Sequence, residues 1–202
     1  GRARLLYQEL AKLKGNGATE DTLAYFRDHR EFRNALLLEK PNGHWGASVV
    51  RSFFIDTFNF FLYDGLRRCE NQVLAGIAEK SVKEIAYQAQ WSAEWVIRLG
   101  DGTEESHEKV QKSIDDLWMW TGELFEKYPV FESLDSSFID FSTLKTQWIE
   151  KVALVLETAT LQMPNPESWM QTGGRLGVHT SHLGFILAEM QSLPRTYPDA
   201  AW

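Results

Sequence analysis

A chain of 202 residues, 44% hydrophobic and 24% charged, has the size and composition of a globular domain with a sizeable core. Its net charge of −7 lacks the basic footprint of a nucleic-acid binder, and any site for an anion would need local cations. Cys69 stands alone, which excludes an internal disulfide and suits a reducing cytoplasm.

Apolar residues recur at helical spacing almost throughout. "RARLLYQELAKL" reads as a helix over 1–13 with no cap before it. The chain starts with Gly1 rather than Met, so further sequence is expected upstream. No signal peptide is visible. After "KGNG" (14–17) a helix is predicted over 23–39, ended by "KPNG" (40–43). Next comes 45–69, rich in Phe on every side: Phe53, Phe54, Phe58, Phe60 and Phe61, with Ile55 and Leu62. Such a helix is expected at the centre of a bundle, covered all round. Arg51, Asp56 and Asn59 interrupt it, so it falls short of a membrane span.

Further helices are predicted over 71–99, 104–127 and 142–162, divided by "GDG" (100–102) and "MPNP" (163–166). Val110, Ile114, Leu117, Trp118, Leu124 and Phe125 share one stripe of the second. Thr103 is its expected N-cap, and Glu104 and Glu105 suit the helix dipole. A last helix follows "TGGRLGV", with Leu183, Ile186, Leu187, Met190 and Leu193 on one face and Pro194 at its end. No period-2 strand, repeat or long linker interrupts this pattern. The expected fold is one all-α domain spanning 1–202.

The chemistry carried by these helices is sparse. A di-iron carboxylate bundle needs two Glu-x-x-His pairs and two further Glu residues facing inward. The sequence holds five histidines, and "EESH" (104–107) is its one Glu-x-x-His, at a helix mouth where a solvated first turn is the plainer reading. In "HTSH", His179 and His182 could meet zinc, but Thr180 and Ser181 read as helix-start residues. Glu84 and Gln88 share a helix face, as do Asp56 and Asn59. These four are expected to form a buried, hydrogen-bonded polar patch; the other reading is a metal site, for which glutamine is a poor ligand. There is no nucleophile elbow, phosphate loop or dinucleotide fingerprint, and "GGRLG" reads as a turn. Met119, Trp120, Tyr128 and Phe131, with Pro129 and Val130, could form an exposed partner surface or lie beneath a second layer of the same chain.

Several segments, in order, carry a resemblance: "EDTLAYFRDHREFRNALLLEKPNG" (20–43), "FFIDTF" (53–58), "KEIAYQAQWSAEWVIRLGDGT" (83–103), "TGELF" (121–125), "TGGRLGVHTSHLGFILAEMQSL" (172–193) and the closing Trp202. Together they resemble the structural C-subunit family of ring-1,2-phenylacetyl-CoA epoxidases, along essentially the whole chain. The stretches 20–43 and 172–193 are the most specific.

The resemblance implies a ferritin-like bundle with additional C-terminal helices. Here it would lack an N-terminal helix, because relatives begin some tens of residues earlier. It implies a non-catalytic partner that supports a separate di-iron catalytic subunit, with no cofactor in this chain. The complex epoxidises the ring of phenylacetyl-CoA with oxygen and electrons from a reductase subunit, in bacterial aerobic phenylacetate degradation. No nucleic acid or membrane is implied, and a cytoplasmic setting is. The Glu-x-x-His positions of the catalytic relative fall on Ile85 and Gln88. Many relatives of the structural family carry His at position 88 and Glu at position 181, where this chain has Gln88 and Ser181. Two other readings remain: an autonomous di-iron oxidase or oxygenase using Asp56 and Glu84, and an acyl-CoA binding module.

Overall fold

The computed structural model describes residues 1–126 and 139–200. Among these residues the regular structure is entirely helical. It comprises α1 (Arg2–Lys14), α2 (Glu20–Tyr25), α3 (Trp45–Leu66), α4 (Gln72–Gly100), α5 (Glu104–Trp118), α6 (Phe141–Thr158) and α7 (Ser181–Thr196), with short 3₁₀ turns between them. The contacts group into two compact units. One is Gly1–Pro41 with Gly173–Trp202, and the other is Asn42–Thr172. The division arises because the C-terminal stretch packs with the first 41 residues.

The unit Asn42–Thr172 is a ferritin-like helical bundle. α3 packs against α4, α5 and α6, and α4 also meets α5 and α6. Gly46, Val49, Val50, Phe53, Phe54, Thr57 and Phe58 fall at three- and four-residue steps along α3 and are buried. Ile55, Phe60, Phe61 and Leu62 are half-buried. A helix turns about 100° per residue, so residues between the steps of the buried stripe face away from it.

Aromatic rings fill the centre. Phe54 stacks on Trp148 at 5.6 Å between centroids and on Trp118 at 5.9 Å, while Phe125 lies 5.2 Å from Trp148. The indole N–H of Trp148, a residue 1% exposed, donates to the Phe54 carbonyl at 2.9 Å. Such rings contribute both apolar area and a preferred tilted geometry, and the indole keeps its one polar group satisfied.

Local signals explain the ends. Thr103 caps α5, accepting from the Ser106 N–H at 3.2 Å while its own N–H donates to Ser106 Oγ at 3.0 Å. α5 stops at Trp118, short of the predicted 127, and continues as a 3₁₀ turn over Gly122–Phe125. Gly122 in this turn packs closely on Met170, which an added Cβ would meet at 2.6 Å. His44 caps α3 by accepting from the Ala47 N–H at 3.3 Å, a role its sequence context did not suggest.

The first unit is held by polar ties. Gln8 at 2.9 Å and Arg4 at 3.1 Å both donate to Glu20, joining α1 to α2. These donors, Gln8 first, hold the Glu20 carboxyl below its usual range. The helix predicted over 23–39 breaks after Tyr25 into two 3₁₀ turns, His29–Glu31 and Leu36–Glu39. A local bond competes with helix here: the Asp28 N–H donates to Glu31 Oε2 at 2.7 Å. Arg27 then lies 4.2 Å over the Phe32 ring. α7 docks on α2 through Gln191, which donates to the carbonyls of Arg27 at 3.0 Å and Ala24 at 3.3 Å. Arg195 donates to the carbonyls of Tyr25, Phe26 and Arg27, supplying partners at the C-terminal end of α2.

Two substitutions test the bundle. Trp148→Phe removes a buried hydrogen bond and part of a ring, and should cost about 2–3 kcal/mol in chemical denaturation. Gly100→Ala should cost about 1–3 kcal/mol, because its methyl would meet the Ala159 carbonyl oxygen at 2.6 Å.

Candidate functional site

The expected polar patch does not assemble as predicted. Along α4 the buried residues Ile77, Ala78, Ser81, Ile85, Ser92 and Val96 form the core stripe. Glu84 sits beside that stripe and is exposed; Gln88, Asp56 and Asn59 are half-buried. Gln88 donates to Glu84 Oε1 at 3.3 Å, along the flank of the helix. The polar residues that do enter the stripe satisfy themselves locally. Ser81 donates to the Ile77 carbonyl at 2.7 Å, and Ser92 to that of Gln88 at 2.9 Å.

Ile85 is fully buried. Its alkyl side chain offers no donor atom to a metal, and Gln88 offers an amide of weak ligand character. Among the described residues, no three of His, Cys, Asp and Glu gather as a metal ligand set. A dinuclear iron centre needs several inward carboxylates and imidazoles, and the described residues do not supply that set.

The other histidine motifs resolve as local structure. In "EESH", Glu105 pairs with Lys109 on the surface. His107 Nδ1 lies 2.8 Å from the Gly100 carbonyl, so it donates there and closes the end of α4. His182 gives its backbone N–H to the Thr180 hydroxyl at 3.3 Å, making Thr180 the cap of α7.

His179 has a role the sequence did not reveal. Its side chain and that of Glu39 are 3% and 1% exposed. His179 Nδ1 lies 2.6 Å from Glu39 Oε1, and Nε2 lies 3.0 Å from the Phe32 carbonyl oxygen. Glu39 also accepts from Asn34 Nδ2, the Thr180 N–H and the Thr180 hydroxyl, each at 2.8 Å. The carboxylate therefore ties the 32–39 segment to the N-terminus of α7. The close approach needs small residues. A side chain at Gly174 would meet the Asn34 carbonyl at 2.3 Å, and Gly177 holds a left-handed φ of 85° against Arg33 and the Arg30 carbonyl. Beside this cluster lies a cleft of about 580 Å³ lined by His29, Arg30, Gly177, His179, Ser181 and Gly184, among others.

The proposed partner surface is also revised. Met119 and Trp120 are half-buried. The Gln171 N–H donates to the Met119 carbonyl at 2.8 Å, so the chain near Gln171 runs beside this turn. Tyr128, Phe131, Pro129, Val130 and Trp202 lie outside the described residues. The exposed aromatic cluster is elsewhere. Trp45, 54% exposed, and Trp91, 38% exposed, meet edge to face with Trp95 at centroid distances of 5.8–6.2 Å. Trp91 and Trp95 are four apart on α4, a spacing that places them on one face.

Glu39→Ala would leave His179, Asn34 and Thr180 facing an empty, buried position. Urea denaturation followed by signals from α7 should show a loss of about 3–5 kcal/mol in the first unit.

All of residues 1–202 match a family model described as phenylacetic acid catabolic protein. The chain is 40% identical over 204 residues to the C subunit of 1,2-phenylacetyl-CoA epoxidase from Escherichia coli (strain K12), covering 100% of this chain and 82% of that protein. The two stretches carrying the most specific sequence resemblance are the ones that Glu39 and His179 join. With the family match running from end to end of a ferritin-like helical chain, this protein belongs to the phenylacetic acid catabolic protein family.

Proposed function

We propose that this chain is a non-catalytic subunit of a phenylacetyl-CoA ring epoxidase. It binds and supports a separate di-iron catalytic subunit, within aerobic phenylacetate breakdown in the cytoplasm. The observation that carries this reading is the 40% identity along the whole chain to the C subunit of the Escherichia coli epoxidase. Two structural features support it. Ile85 fills the core stripe of α4 with hydrocarbon, which supports the reading that this chain carries no iron site of its own. Its contribution is then contact and shape, and the Trp45, Trp91 and Trp95 cluster offers a large aromatic area for contact.

When bound, the iron pair in the catalytic subunit supplies oxygen activation, with electrons from a reductase subunit. The residues of this chain hold the neighbouring bundle in place and exclude water from the shared face.

Reconstitution tests this reading. The catalytic subunit, prepared with and without this chain and with iron measured in each, should epoxidise phenylacetyl-CoA only when both are present, with the iron in the catalytic subunit. Full activity without this chain, or about two irons in this chain alone, would overturn the proposal. A Trp45→Ala, Trp91→Ala double variant should keep its helicity. Its affinity for the catalytic subunit should fall about ten- to hundredfold in a titration by calorimetry.

A further inference from the structure

The imidazole of His179 is placed between two acceptors. The Phe32 carbonyl oxygen, 3.0 Å from Nε2, has no proton to give, so Nε2 carries one. On the other side Nδ1 faces Glu39 Oε1 at 2.6 Å. Glu39 is saturated by other donors: Asn34 on Oε1, and the N–H and hydroxyl of Thr180 on Oε2, each at 2.8 Å. Donors converging on both oxygens favour the ionised carboxylate, which assigns the proton between Oε1 and Nδ1 to the ring. A charge in this position, 1–3% exposed, persists only when paired and hydrogen-bonded, and both conditions hold.

The charged neighbours make the pairing one-sided. His29 and Arg30 line the same cleft as His179. Arg33 donates to the same Phe32 carbonyl at 3.3 Å. His182 stands in the first turn of α7. Of these, Arg30 and Arg33 carry fixed positive charge. The acids of the 28–31 turn are engaged elsewhere: Glu31 with the Asp28 N–H, and Asp28 with Arg195. Glu39 is the acid that touches the ring.

We propose that Glu39 and His179 form a buried carboxylate–imidazolium pair, protonated on both ring nitrogens, that acts as a proton-dependent latch closing the 173–181 segment onto residues 32–39. Loss of one ring proton to solvent base leaves a nitrogen lone pair against either Glu39 Oε1 or the Phe32 carbonyl. It also leaves one uncompensated negative charge in the interior. Both effects drive the segment to open. The latch forms one wall of the cleft beside α7, so its state sets whether that cleft keeps its shape.

The full chain labelled with ¹⁵N-histidine tests this. Near neutral pH, one of the five histidines should show a directly bonded proton on each ring nitrogen, and that signal should vanish in His179→Gln. Amide exchange over 174–182 should be about ten- to hundredfold faster in Glu39→Gln, while protection in α4 is unchanged. In His179→Gln, which keeps one donor towards Glu39, the opening should lose its pH dependence. A His179 ring with one bare nitrogen near neutral pH would overturn the proposal, and so would an unchanged pH dependence of opening in His179→Gln. The ring measurement is made on the parent protein, so it decides even if a variant fails to fold. It is independent of epoxidase activity and of the subunit role proposed above.

Discussion

A polar group withdrawn from water must find its partner inside the protein, and this constraint organises the first unit around one carboxylate. Glu39 lies 1% exposed at the end of a 3₁₀ turn. Its oxygens collect a side-chain amide, a hydroxyl, a backbone N–H and an imidazole. Two chain segments, 32–39 and 179–180, some 140 residues apart in sequence, are thereby brought to one point. Gly174 and Gly177 follow from this, because the loop carrying His179 can approach only where side chains are absent. Gln191 and Arg195 apply the same logic one helix further on, by capping carbonyls that the end of α2 leaves open.

The bundle unit meets the same constraint with fewer polar groups. Its centre is aromatic and aliphatic, and the indole of Trp148 is turned so that its N–H reaches a helix carbonyl. Ser81 and Ser92 bond back along their own helix. At position 85 this core presents hydrocarbon, and Glu123 is the carboxylate fully buried among the described residues of this unit. Ile85 occupies the inward position of α4, and the carboxylate nearest to it in sequence, Glu84, points out. Two exposed tryptophans, Trp45 and Trp91, stand at the start of α3 and along α4.

The all-α class and the existence of most helices were legible in the sequence because they depend on local spacing, whereas the breaks after Tyr25 and Trp118 were not. The stripe in α5, the Thr103 cap and the Thr180 cap are all set by residues within one turn of each other. The lack of a repeated Glu-x-x-His was equally visible, since it is a property of spacing. The burial of the Asp56, Asn59, Glu84 and Gln88 group was not. It turns on which side of each helix faces its neighbour, and a rotation of about 100° per residue separates an inward Ile85 from an outward Glu84.

Sequence alone therefore determined a helical chain, its family resemblance and the poverty of ligands at Ile85 and Gln88. Only the tertiary structure decided that Met119 and Trp120 are half-buried and that Trp45, Trp91 and Trp95 meet edge to face. It also decided that His179 meets Glu39 across 140 residues of chain. No local pattern encodes such a meeting, because its stability comes from shared burial and from hydrogen-bond partners supplied by separate segments once the chain has closed on itself.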